Sequence, residues 1–191
     1  MRRTRARCDP AGLQRGSPVV LAIRPDPRVA TPRAELEAAL AFSNALAPDL
    51  AQVWRASAEI SAVRHGLAER RAALAAASPL AARLAALDAA LEPMLAAQAE
   101  RPFGLARAGE TLAAIETDVE GADRAPTQAQ RAVAAAVHAD LAALLVRWRA
   151  IRGAELAAVN RALAAARLAP VVVPDAAHLP RPELPGGQDL P

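Results

Sequence analysis

Residues 31–76 read TPRAELEAALAFSNALAPDLAQVWRASAEISAVRHGLAERRAALAA, and the spacing of their large aliphatic side chains decides the fold. Leu46, Val53, Ile60, Leu67 and Leu74 recur at every seventh residue, and Leu36, Leu40, Leu50 and Val63 widen the same stripe. A strand would alternate apolar and polar at every second position, so this period belongs to one side of a long helix in a bundle. Thr31 followed by Pro32 marks the helix start, with Glu35 and Glu37 placed to favour its positive end. Pro48 is expected to kink the helix, because its ring meets the preceding turn and it has no N–H to donate.

The same logic extends toward the C-terminus. Ser78 and Pro79 repeat the start signal, and Leu80, Leu84, Leu87, Leu91 and Met94 or Leu95 mark a second helix with Pro93 inside it. Arg101-Pro102-Phe103-Gly104 breaks the chain, after which Leu105, Leu112, Ile115 and Val119 mark a shorter third helix ended by Gly121. Thr127, three residues before Gln130, has the capping-box pattern. The helix it opens carries Val133, Val137, Leu141, Leu144, Trp148 and Ile151, and passes Gly153 into Leu156, Val159 and Leu163.

These segments predict an all-α fold, an antiparallel up-down-up bundle of long helices. At the usual rise, a first helix of about 46 residues spans roughly 69 Å, and a last helix from Thr127 to Leu168 is nearly as long. The two middle helices would form one return limb broken near Pro102–Gly104, leaving the first and last helices parallel. Trp54 and Trp148 then fall at similar heights, and their spacing on apolar stripes assigns both to the core. Ile60 and Leu141 are expected to be buried, and Glu69 and Arg70 to be tolerant surface positions.

Composition agrees. Alanine makes up more than a quarter of the chain while aromatics are 2%, so a hydrophobic content of 53% implies a thin, closely approached core. The formal charge of +3 is unevenly placed: residues 1–33 carry +6 and the remainder −3. The chain divides into a basic, disordered tail (1–18), a remnant strand with a Pro-rich exit (19–30), the bundle (31–169) and a Pro-rich, unfolded tail (170–191). Val19–Ile23 is the strand-like run, and it has no sheet to join. Val19–Ile23 is also too short for the core of a signal peptide, and recurrent Arg and Glu argue against a membrane span.

Each candidate site is weak. His65, His138 and His178 have no second His or Cys at ligand spacing, and the lone Cys8 allows neither an internal disulfide nor a Cys-based metal site. The acidic group Glu116, Asp118, Glu120 and Asp123 lacks the pattern of a calcium loop. Ser57 and Ser61 have no base on their face. Trp54 and Trp148 as a stacking platform are less favoured than as core residues. Arg2, Arg3, Arg5 and Arg7 lack the aromatic partners of a nucleic-acid surface, and no nucleic-acid partner is expected. No catalytic, cofactor or metal residue is assigned.

Three stretches carry a family resemblance. Arg24-Pro25-Asp26-Pro27-Arg28-Val29 before Thr31-Pro32, then Gly121-Ala122-Asp123-Arg124-Ala125-Pro126-Thr127, then Leu144–Trp148 with Glu155–Asn160, resemble the C-terminal helical region of bacterial sortilin-like proteins. Those proteins carry BNR-repeat β-propellers and are often labelled glycosyl hydrolases. The resemblance covers about residues 19–173, with the propeller absent and one strand of the preceding immunoglobulin-like sandwich remaining. It implies a non-catalytic packing or protein-interaction module, a fragment of an exported protein, whose partners are upstream β domains or a second copy. Alternatives are a phasin-like or apolipoprotein-like coat for an apolar surface, and part of a glycosidase whose active site lies elsewhere.

Overall fold

The structure, a computed structural model, describes residues 30–98 and 103–175. The strand-like run Val19–Ile23, the Arg24–Val29 exit, the N-terminal arginines, Cys8 and His178 lie outside those residues. Every regular element described is helical: α1 (Arg33–Ala72), α2 (Pro79–Leu95), α3 (Leu105–Glu120), α4 (Gln128–Ala150) and α5 (Leu156–Ala165). A π-helical turn, Ile151–Glu155, joins α4 to α5.

The seven-residue period of α1 becomes its core face. Leu46, Val53, Ala56, Ile60, Val63 and Leu67 are buried, and Ile60 is completely enclosed. The widened stripe is less uniform than expected. Leu40 is 59% exposed and Leu50 only half-buried, while the carboxylate-bearing Asp49 occupies the buried position between Leu46 and Val53. The helix stops at Ala72, so Leu74 packs on the core from the following turn rather than from the helix. Its start is also one residue later than expected. Pro32 is the N-cap, no side chain caps the helix, and Thr31 makes no cap bond.

The remaining helices bury Leu84, Leu87, Leu91 and Met94 of α2, Leu105, Ala108, Leu112, Ile115 and Val119 of α3, and Val137, Leu141 and Trp148 of α4. Thr127 and Gln130 form the full capping box: the Gln130 N–H donates to Thr127 Oγ1 at 3.2 Å and the Thr127 N–H donates to Gln130 Oε1 at 2.8 Å. Gly104 is required where α2 hands over to α3, because a Cβ there would run into the backbone of Ala96. Val133 departs from expectation. It is 44% exposed, and Ala134 takes the inward position instead.

Side-chain pairs give the relative directions. The Ala125 N–H donates to Glu35, His138 pairs with Asp49, and Trp148 donates to Glu59, at sequence offsets of 90, 89 and 89. A constant offset means that α1 and α4 run the same way. Against α1 the middle helices run the other way: Leu36–Ser43 lies by Val119–Asp123, Val53 by Gly109, and Arg64 by Asp88. Trp54 stands about one turn from Glu59 and so near the level of Trp148. Trp148 is in the core, but Trp54 is half-buried and lies outside it.

Beyond α5 the chain reverses. The Leu168 N–H donates to Leu163 O at 2.9 Å and the Arg167 N–H to Ala164 O at 3.0 Å, a Schellman cap with Arg167 at φ 58° in the place usually taken by glycine. Residues from Pro170 were expected to be an unfolded tail. Up to Asp175 they are instead a strap laid on the bundle, with Val171 buried. The Asn160 amide donates to Val171 O and accepts from the Val171 N–H, both at 2.9 Å, and the Arg70 guanidinium donates to Ala169 O and Pro170 O at 3.3 Å. Arg70 is therefore a clamp and not an indifferent surface residue. Gly66 makes room beneath the strap, since a Cβ there would stand 3.0 Å from Val171 Cγ1.

Candidate functional site

The most structured polar feature lies between the parallel helices α1 and α4. On α1, Gln52, Arg55, Ala56 and Glu59 share one face by helical spacing, and on α4 and the π-turn Leu145, Trp148, Arg149 and Arg152 share another. The two stripes face one another across a groove of about 300 Å³. Ala56, Leu145 and Trp148 supply its apolar surface, and three arginines and a glutamine surround it.

Glu59 is buried at 8% exposure, which is costly for a carboxylate unless its oxygens are bonded. Trp148 Nε1–H donates to Glu59 Oε2 at 2.8 Å, and the Arg152 guanidinium approaches the same oxygen at 3.4 Å. Asp49, one helical stretch earlier, is buried at 7% and meets His138 Nδ1 at 2.8 Å. Arg64 pairs with Asp88 of α2 at 2.6 Å, and this bond to a carboxylate raises the guanidinium pKa above its ordinary value. Arg55 and Arg149 have no carboxylate partner among the described residues; Arg149 Nε–H donates to Leu145 O on its own helix at 3.2 Å.

The π-turn positions the end of the groove. The apolar positions of the last limb step Trp148, Ile151, Leu156, Val159, Leu163, and the step of five is one residue longer than an α-turn allows. A wider π-turn absorbs the extra residue. It returns Leu156, Val159 and Leu163 to the core and leaves Arg152 at the rim.

The residues singled out from sequence mostly stay apart. His65 is exposed and pairs with Glu69 at 3.2 Å, and His138 reaches Asp49 at the bundle edge. Glu116 is half-buried, whereas Asp118, Glu120 and Asp123 are exposed. No group of three or more His, Cys, Asp or Glu suited to hold a metal occurs among the described residues. Sequence reasoning missed Asp49 and Glu59, whose burial follows from the register of α4 on α1. The signal available for the π-turn was the five-residue step.

The outer side of α4 is a second feature. Val133 and Val146 are exposed on α4, the latter at 59%, among alanines, and lie about 140° apart round the helix. From Gln128 to Val146 the only charged side chains are Arg131 and Asp140. By length and composition the continuous helix Gln128–Ala165 is long and apolar enough to cross a membrane, and only 17% of its most apolar 18-residue stretch is buried. Comparison of the chain with protein-family models, with curated proteins and with solved structures finds no match.

Proposed function

We propose that the chain is a non-catalytic helical module that acts by association, the exposed surface of α4 packing against protein. The observation that carries this reading is the exposure of Val133 and Val146 on an alanine-lined helix with little charge. Such a surface gains stability when a partner removes it from water, and alanine lets a second backbone approach closely. The resemblance to sortilin-like helical regions supplies upstream β domains as one partner, and a second copy is the other.

The buried acids support a structural rather than a glycosidase reading. Asp49 and Glu59 are ten residues apart on one helix, which separates them by roughly 15 Å, beyond the ~5–9.5 Å of paired glycosidase carboxylates. Each is also engaged by a neighbouring side chain.

Light scattering and sedimentation of the purified chain test the proposal. Concentration-dependent association is expected, and it should vanish in a Val133→Glu/Val146→Glu double variant whose melting temperature is unchanged. A chain that is monomeric at every concentration, and that the double change leaves indifferent to added upstream domains, would overturn it.

A further inference from the structure

The groove between α1 and α4 has features that packing does not explain. Arg55, Arg149 and Arg152 all line it, opposed within it only by Glu59, so its lining carries a formal charge of +2. Packing needs no such excess, because three like charges gathered round one opening repel each other. The one acid is already engaged by the Trp148 indole and by Arg152, while Arg55 and Arg149 face the opening without a carboxylate partner among the described residues. The neighbouring acids point elsewhere: Asp49 is held by His138, and Glu155 lines the opposite side of the limb with Arg83 of α2.

We propose that this groove binds a phosphate monoester. A dianion matches the charge left by three guanidinium groups and one carboxylate. Two guanidinium groups without a carboxylate partner, Arg55 and Arg149, the latter with its terminal nitrogens beyond the Nε–H that Leu145 O holds, can share the three terminal oxygens of a phosphate, whereas a carboxylate offers two oxygens and satisfies a single fork. The alcohol part of the ester rests on Ala56, Leu145 and the Trp148 ring, the apolar portion of the lining. A volume of about 300 Å³ suits a small ester and falls at the lower end of ordinary ligand pockets. The assignment does not depend on the association proposed above.

Titration of the full chain with phenyl phosphate at constant ionic strength tests this, read by calorimetry and by Trp148 fluorescence in a Trp54→Phe background. Saturable binding of one phenyl phosphate per chain is expected, with inorganic phosphate weaker and phenol inert. Arg55→Gln and Arg149→Gln should each weaken binding roughly tenfold without moving the melting curve, since a charge-assisted bond is lost from an exposed side chain. Glu59→Gln should tighten it several-fold: the amide still accepts the Trp148 N–H, while the repelling charge is gone. Arg161→Gln, on α5 away from the groove, should leave affinity unchanged. Absence of saturation at a concentration on the order of 10 mM, loss in the Arg161 variant equal to that in the Arg55 variant, or weaker binding in Glu59→Gln would each overturn the assignment.

Discussion

Helix α1 has two seams of different character. Toward α2 and α3 it presents Val53, Ile60, Val63 and Leu67, an aliphatic strip with the half-buried Arg64–Asp88 pair beside it. Toward α4 it presents Asp49 and Glu59, each bonded to a polar side chain of the partner helix. Aliphatic surface is adhesive but tolerant of sliding, because one Leu or Val contact is much like the next. A buried carboxylate has one acceptable partner position, so the polar seam selects the offset of 89 at which α1 and α4 lie side by side. The two seams divide the labour: the apolar seam supplies most of the stability, and the polar seam fixes direction and register.

Truncations in the aliphatic seam should cost the most stability. Ile60→Ala, or Leu141→Ala across the core, should cost about 2–5 kcal/mol in chemical denaturation, because both side chains are enclosed and leave a cavity. Losses below about 1 kcal/mol at both sites would mean that the aliphatic seam is not the main source of stability. Gly104→Ala belongs in the same class through a different cause, a backbone clash with Ala96.

The polar seam should respond less in stability and more in specificity. Trp148→Phe keeps the ring but removes the N–H from a buried carboxylate, and should cost about 1–3 kcal/mol. In a double-mutant cycle with Glu59→Leu the two changes should be non-additive, since each removes the same bond. Paired spin labels on α1 and α4 would sharpen the point. A broadened distance distribution in a variant lacking both Asp49 and Glu59 carboxylates is expected, and a sharp unchanged one would refute the register role.

The strap provides a smaller test. Asn160→Ala removes two hydrogen bonds to Val171 and should cost about 1–3 kcal/mol, with hydrogen exchange accelerating at Val171 before it does in the core. Arg167→Gly should stabilise by about 1 kcal/mol, because glycine adopts the left-handed conformation at φ 58° without the strain of a side chain. At the bottom of the scale, Arg33→Gln breaks an exposed pair with Glu37 and should change the melt by well under 1 kcal/mol.

Most of the helical architecture was legible because it rests on periodicity. Leu46, Val53, Ile60 and Leu67 announce a helix whatever surrounds them, and Thr127 with Gln130 announces a start through local bonds alone. The errors occur where a distant element decides. Leu40 and Val133 match the pattern but meet no partner that covers them. Asp49 is buried because His138 comes to it from 89 residues away. Arg70 looked indifferent until the chain returned to it from Ala169 and Pro170. The groove was illegible for the same reason: Arg55, Arg149 and Arg152 are unremarkable surface arginines until the parallel register sets them round one opening.

The π-turn at Ile151–Glu155 makes the last limb keep two clocks. An α-helix advances by about 100° per residue, so one residue added to a plain α-helix would rotate everything after it by more than a quarter turn, and the wider π-turn takes up that rotation. Up to Trp148 the limb is timed to α1 and α3, and from Leu156 onward it is timed to α2. The two stretches therefore tolerate change independently as long as the step between them is one that a helical turn can close. Removing one residue from 152 to 155 would shorten the step from Ile151 to four, and a plain α-helix would keep Leu156, Val159 and Leu163 on the core; adding one would turn them out of phase, unfastening half the limb without altering a single apolar side chain.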